Sequence, residues 1–431
     1  MKKNFKSKLS LDCSKNQIIR VLWIIILTIG LLYCVVQSFV RWRIEPDITT
    51  SSVLIPESEI PFPAVTICST LFDKRLQHIT SVQYVAEDFY DGENVTKLSP
   101  EVQNHFQLVY HTCRPEMVTD NILTDLLPNR TEKDVLKLLA GWKNPLKFYF
   151  CYFKGTLTAC DLLFTKTITD FGVCNTYNWQ GHNTVFNKEV VSNDLTVFED
   201  SDIFEYPVPV WDEKTKNKSS SSNDMNFWTL ENGYSTENEE VWPVRAERKH
   251  FVSFNMLIYN RYGEAEFCRN KGGGLIFMLH LPNELPTLSH QKNFIAFNDD
   301  KKVEITAKSF KTRHDLRHLK PRKRQCYYES ERTLKFFKSY TKAHCDFECM
   351  TNHTLEACGC VKFSMPREKH TPVCDIDEIK CYYNAMQNWP KRSDKHFKIP
   401  CECYPPCSNI KYSIQNEGTG KAITYPKETD E

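Results

Sequence analysis

Cysteine is the residue type in this chain whose number and spacing point most directly to chemistry. There are 18 cysteines among 431 residues. The stretch PCECYPPC sets Cys401, Cys403 and Cys407 within one short turn of sequence, while Cys345 and Cys349 stand four apart and Cys358 and Cys360 two apart. Thiols so arranged serve as metal ligands, nucleophiles or disulfide partners. Structural zinc favours a C-x2–4-C knuckle set against a second knuckle or a His pair, and Cys345/Cys349 with Cys403/Cys407 would supply two such halves. A nucleophilic cysteine stands apart beside a histidine, and no single cysteine here is set off from the rest. Compartment decides between the other two, because disulfides persist outside the cell and reduced thiols inside it.

One segment speaks to compartment. Val21–Val40, VLWIIILTIGLLYCVVQSFV, carries no charge, and about twenty helical residues span the roughly 30 Å hydrocarbon core of a bilayer. A cleaved signal peptide has a shorter apolar region of about 7–15 residues and a small-x-small cleavage site. The flank here is Arg41-Trp42-Arg43, so the segment reads as an uncleaved membrane anchor. Lys2, Lys3, Lys6, Lys8, Lys15 and Arg20 precede it against a single Asp12. The positive-inside rule then predicts residues 1–20 as a cytosolic tail, 21–40 as the transmembrane helix and 41–431 as extracellular. Cys13 and Cys34 fall in the cytosol or the bilayer, which leaves an even set outside and favours disulfides over zinc.

Spacing constrains those bridges without choosing them. In an extended segment, residues i and i+2 share a face but bond poorly to each other, so each cysteine of a C-x-C seeks a separate partner. Cys345 and Cys349, if helical, lie one turn apart on one face. A helix presenting two thiols to an extended Cys401-x-Cys403 makes a ladder of stacked bridges, each contributing about 2–4 kcal/mol. Such a stiff lobe suits a lever, a receptor head or a protease-resistant scaffold.

The elements that must position the cysteines are mixed, giving an α+β fold class. PFPAVTICS (Pro61–Ser69), GLIFMLHLP (Gly274–Pro282), VEIT (Val303–Thr306) and KYSI (Lys411–Ile414) read as strands. KDVLKLLAGW places Val135, Leu138 and Leu139 on one helical face, and TLKFFKSYTKAHCDFEC is a second helical pattern. Residues 41–60 form a connector, and the Ser/Asn-rich 212–240 stretch an exposed loop. Sequons at Asn94, Asn129, Asn217 and Asn352 are candidate glycosylation sites.

Other chemistry is poorly supported. Net charge is +1, so no global field invites nucleic acid. GTGK (Gly418–Lys421) lacks both the upstream Gly and the following Ser/Thr of a phosphate loop. KGGGL (Lys271–Leu275) reads as a turn before a strand. Arg317, Lys320, Arg322, Lys323 and Arg324 read as a solvated loop, since Pro321 stands where a furin-type site wants Arg. No metalloprotease, serine-hydrolase or paired-carboxylate motif is present, and the thirteen histidines read as surface or core residues. No enzyme, metal or cofactor is expected.

Taken together, PFPAVTIC, FGVCNTYN (Phe171–Asn178), LRHLKPRKRQC (Leu316–Cys326), HCDFECMTNHTLEACGCVKFSMPR and CECYPPC, in this order, resemble the degenerin/epithelial sodium channel family, closest to its insect pickpocket branch. The resemblance covers residues from about 18 to 415. It implies a trimer, homomeric or with related subunits, whose ectodomain is built like a hand of palm, knuckle, finger, thumb and β-ball, with 326–407 as the thumb. It also implies pairings: Cys68 with Cys174, Cys151 with Cys160, Cys326 with Cys407, Cys345 with Cys403, Cys349 with Cys401, Cys358 with Cys381, and Cys360 with Cys374. Cys113 and Cys268 are left over, as an eighth bridge or two free thiols, the bridge favoured because unpaired extracellular thiols are avoided.

Two departures from the family stand out. LDCSKNQIIRVLW lacks the His-Gly pair expected before the first span, and KYSIQNEGTGKAITYPKETDE contains no second apolar run. The resemblance implies a plasma-membrane subunit of an amiloride-sensitive-type sodium channel gated by an extracellular stimulus, with sodium ions and membrane lipid as partners. The alternative is a non-conducting single-span isoform or fragment, acting as an accessory or dominant-negative partner or as an extracellular binding module.

Overall fold

The computed structural model describes residues 3–44, 51–69, 100–112, 115, 132, 134–140, 146–153, 156–158, 160, 163–188, 190, 228–235, 243–246, 254–260, 274–287, 290–296, 299–389 and 401–421. In chain order the elements are α1 (Lys3–Ile44), β1 (Ala64–Ser69), α2 (Pro100–Thr112), α3 (Val135–Ala140), β2 (Leu146–Phe153), β3 (Thr156–Thr158), β4 (Phe164–Thr169) and β5 (Gly172–Tyr177). There follow α4 (His182–Val185), β6 (Trp228–Thr229), β7 (Gly233–Tyr234), β8 (Phe254–Asn260), β9 (Gly274–His280), β10 (Lys292–Ala296) and β11 (Asp299–Lys311). Last come α5 (Pro321–Arg324), α6 (Lys342–Cys358), α7 (Ile379–Gln387) and β12 (Ser408–Lys421). The chain divides into two compact units, one of residues 1–54 with 313–326 and one of 55–312 with 327–431.

In the first unit, Gln17–Arg41 of α1 is long and apolar enough to cross a membrane, and none of its most apolar window is buried against protein. Cys34 is a free, exposed thiol on this helix. The 313–326 segment corrects the reading of its basic residues as uniformly solvated, because Arg324 is buried. Its guanidinium donates to the carbonyls of Cys326 (3.2 Å), Arg317 (3.3 Å), Leu316 (3.5 Å) and Leu319. The guanidinium fork has five donors, and four carbonyls wrap it here. Pro321 opens the one-turn α5 and Gln325 closes it in the left-handed region.

The centre of the second unit is an antiparallel sheet in the order β10-β9-β1-β5-β4. Its middle strand β1 is buried on both faces by alternation. Val65 and Ile67 pack with Tyr177, Leu275 and Phe277 on one side, while Cys68 meets Cys174 and Met278 on the other. Gly274 starts β9 where a Cβ would collide with the Ile295 carbonyl and the Phe294 ring of β10, so the last glycine of the KGGGL run permits a close strand approach. β2 lies between β3 and β8 in a second sheet. β11 pairs along its length with β12, with Gln415 as the extra residue opposite Glu304/Ile305. Gly418–Lys421 is part of that ladder and no phosphate loop.

The cysteine-rich lobe is built on α6. Thr341 caps it by accepting from the His344 N–H, and Gly359, with φ +72°, ends it in a left-handed turn. The helix therefore begins at Lys342, later than the pattern TLKFFKSYTKAHCDFEC suggests. Phe336, Phe337 and Tyr340 before it are consumed in a buried cluster with Trp179, Val185, Phe186, Phe347 and Met365. Helix α3 packs Val135, Leu136 and Leu139 with Leu108 of α2 and Phe363. Within 212–240, Trp228–Tyr234 forms a small hairpin.

A buried ion pair ties lobe to sheet. Lys362 Nζ lies 2.8 Å from Asp170 in the β4–β5 turn, with side chains only 5% and 3% exposed, and the Ser364 hydroxyl donates to the same carboxylate at 2.7 Å. Burial alone would push the Asp170 carboxyl up, but Lys362 and Ser364 together hold it below the usual range. Lys362→Ala would leave that carboxylate uncompensated and should cost about 3–5 kcal/mol in chemical denaturation. The double change Asp170→Asn/Lys362→Met should recover much of the loss, and an equal or larger loss in the double variant would contradict the ion-pair account.

Candidate functional site

Among the described residues, six bridges are defined by their geometry. Cys68–Cys174 crosses β1 and β5 with Cα atoms 4.6 Å apart, and Cys151–Cys160 closes β2 onto the turn after β3 at 5.2 Å. On α6, Cys345 meets Cys403 at a Cα separation of 5.7 Å and Cys349 meets Cys401 at 6.2 Å. The helix puts the two thiols one turn apart, and the returning chain runs antiparallel to it, so the rungs nest. At the C-terminus of α6, Cys358 and Cys360 flank the left-handed Gly359, which sends the first to Cys381 on α7 (5.9 Å) and the second to Cys374 (5.0 Å). Cys326 and Cys407 are each disulfide-bonded. Cys113 and Cys268 lie outside the described residues, as do Asn94, Asn129 and Asn217. Asn352 is exposed on α6.

Beside the first rungs lies a buried polar junction that no motif announces. Across the sheet, the Thr167 hydroxyl (β4) donates to Thr176 (β5) at 2.9 Å, and Thr176 and Thr66 (β1) share a bond of 2.9 Å. Thr66 lies 2.8 Å from His280 Nε2 (β9), and His280 Nδ1 lies 2.9 Å from the Leu281 carbonyl. A carbonyl only accepts, so Nδ1 carries the proton and Nε2 accepts from Thr66. Every hydroxyl in the row then donates in one direction, toward His280. Four strands are joined by one polarised chain of hydrogen bonds.

A second histidine faces the lobe. The Leu285 N–H donates to His344 Nε2 at 3.1 Å, which leaves Nδ1–H to donate to the Ser339 carbonyl at 3.2 Å. His344 also stacks on Phe337 at 3.9 Å. Between the two rings, Glu284 takes His290 Nε2 at 3.3 Å. Burial opposes its charge, yet the bond and charge of His290, the charge of His344 and the Thr341 hydroxyl hold its carboxyl down at about 2. By sequence, His280 and His344 read like the other histidines, as surface or core residues. Only their tertiary neighbours distinguish them, and no spacing in sequence could have done so.

These imidazoles are neutral in the folded chain. Burial lowers His280 to about 3, with His290 adding to the effect, and burial lowers His344 to about 4. His111, stacked on Tyr382, is lowered to about 3 by burial and then by the Lys362 charge. A depressed histidine binds protons more readily in the unfolded chain. Its contribution is complete above the ordinary 6.5 and is lost as pH falls toward 3–4. The melting temperature should therefore drop between pH 6.5 and 4.5, above the range in which the contribution of Glu284 is lost. His280→Gln and His344→Gln should each flatten that drop while lowering stability at neutral pH, and a flat wild-type profile over this range would contradict the neutral assignment.

The described residues thus form a stapled helical lobe, seated through neutral imidazoles and one ion pair on the end of a sheet, in a chain that also carries a membrane-length apolar helix. The family described as ASC, amiloride-sensitive sodium channel, matches residues 6–430. Among curated proteins of Drosophila melanogaster, the chain is similar to Pickpocket protein 28, with 22% identity over 88% of this chain and 57% of the relative. It is similar to Pickpocket protein 11, with 26% identity over 42% of this chain and 36% of the relative. It is also similar to Sodium channel protein Nach, with 20% identity over 95% of this chain and 70% of the relative. The matched region spans less than two thirds of the length of either pickpocket relative. With nearly its whole length matched, the chain belongs to the amiloride-sensitive sodium channel family, on the side of its insect pickpocket members.

Proposed function

We propose that this chain contributes to a sodium-selective, amiloride-sensitive cation channel of the plasma membrane, as one subunit of a trimer made with itself or with related subunits. The observation that carries the reading is the family match over residues 6–430, together with an apolar helix of bilayer length at Gln17–Arg41. In this reading the residues before the helix are cytosolic and those after it extracellular, where disulfides are stable. An extracellular stimulus acts on the ectodomain, and the stapled lobe passes strain onward as a rigid body. The bridges Cys326–Cys407 and Cys113–Cys268 complete the set, and Asn94, Asn129, Asn217 and Asn352 carry glycans.

Two measurements test the reading. Expression of the full coding sequence in oocytes, alone and with pickpocket-type subunits, should yield or alter a sodium current that amiloride blocks. Failure to produce or change any current in every combination would overturn the channel role, while suppression of a partner's current would mark an accessory subunit. Asn352→Gln should remove one glycosidase-sensitive mobility shift on gels. If Asn352 is never glycosylated while a cytosolic sequon placed before residue 17 is, the orientation is reversed.

A further inference from the structure

The first two rungs on α6 are close enough to react with each other. The sulfurs of Cys345, Cys349 and Cys403 all lie within 4.8 Å of one another, although Cys345 is bonded to Cys403 and Cys349 to Cys401. The rungs differ in access. Cys345 is 1% exposed, whereas Cys349, Cys401 and Cys403 are half-buried, so the outer rung is open at both of its sulfurs and the inner rung at Cys403 alone. A disulfide exchanges when a thiolate attacks one of its sulfurs and the other sulfur leaves as thiolate. The outer rung is therefore the point of entry, and the inner rung is within reach of whatever the entry step releases.

We propose that these two rungs form a thiol-exchange site, at which a low-molecular-weight thiol captured on Cys401 moves the 401–403 segment one rung along α6. In the first step the thiolate of the small molecule attacks Cys401 Sγ. A mixed disulfide forms on Cys401, the Cys349–Cys401 bond breaks, and Cys349 leaves as thiolate. In the second step that thiolate, released from its own bridge and free to rotate into line with the Cys403–Cys345 bond, attacks Cys403 Sγ, which forms Cys349–Cys403 and releases Cys345 as thiolate. One disulfide is exchanged for another at each step, so no oxidant is needed and the small thiol is the only co-reactant. Cys345 is not the acceptor of the second attack. Both helical side chains tilt the same way along α6, so their Cβ atoms are poorly aimed for a bond to each other.

The product bonds Cys403 one turn further along α6; its sulfur already lies within 4.8 Å of that of Cys349, so closing the new bridge to a bond of about 2 Å draws the segment along by less than about 3 Å. Cys403 is followed at once by contacts that fix the return of the chain. The Tyr340 hydroxyl donates to the Tyr404 carbonyl at 2.6 Å, the Tyr327 N–H donates to Pro405 at 3.0 Å and the Cys407 N–H donates to Tyr327 at 2.8 Å. β12 begins at Ser408. The slipped bridge pulls against these three bonds, so the exchange is felt at the start of the β11–β12 ladder.

The test uses the full chain in lipid nanodiscs, treated with substoichiometric reduced glutathione, alkylated with iodoacetamide and mapped as non-reduced peptides in acid. The expected product carries glutathione on Cys401, a Cys349–Cys403 bridge and an alkylated Cys345. An alkylated Cys349 with Cys345–Cys403 intact, or a Cys345–Cys349 bridge, would overturn the proposal. The variant Cys401→Ser supplies the Cys349 thiol without any added reductant. It should show Cys345 alkylation and the Cys349–Cys403 bridge in part of the population, and their complete absence would also overturn it. Should that variant fail to accumulate, the wild-type map decides alone.

Discussion

The lobe and the strand that follows it depend on one constraint, the covalent return of residues 401–403 to the face of α6. Cys345 and Cys349 hold that segment antiparallel to the helix, and five residues after Cys403 Ser408 enters a ladder that continues to Lys421. The bridges limit where the chain can start that ladder. An unconstrained two-stranded ladder with mostly exposed β11 side chains has little burial to specify its register. Covalent rungs at its entry supply part of the specification that a hydrophobic face supplies elsewhere.

The seat of the lobe is polar where the lobe itself is covalent and aromatic. His344 is stacked on Phe337 and accepts from the Leu285 N–H, while His280 terminates the threonine row from the sheet. Burial keeps both rings neutral, and neutrality is what lets each accept at one nitrogen and donate at the other. Lys362 and Asp170 add a charged tie on the β4–β5 turn. Each group is satisfied only in the assembled arrangement, so the junction specifies position strongly while contributing modest net stability.

Much of the architecture was legible in sequence. The apolar run with its basic N-terminal flank is local, and so is the strand alternation of β1 and β9. The rule that neighbours in a C-x-C take different partners followed from backbone periodicity. At Cys358 and Cys360 the structure adds the device, a left-handed Gly359 that turns the chain between them. Two readings failed, for different reasons. The helix start was placed too early because Phe336, Phe337 and Tyr340 are apolar at helix-like intervals, and Arg324 was counted as solvated because its neighbours are. At the helix start a tertiary aromatic cluster overrode the local pattern, whereas at Arg324 a tight local turn folds four nearby carbonyls around the guanidinium.

The sequence by itself determined composition-level and short-range facts: an apolar helix of bilayer length, a mixed α+β body, a cysteine block, and an ordered set of motifs that identifies the family. These depend on residue type and on spacing within a few turns. Only the tertiary structure decided which histidines are buried and neutral, and that two rungs place three sulfurs within 4.8 Å. Those properties arise from residues far apart in the chain, such as Thr66 with His280 or Asp170 with Lys362. Their desolvation and hydrogen bonding exist only once the strands and α6 have packed.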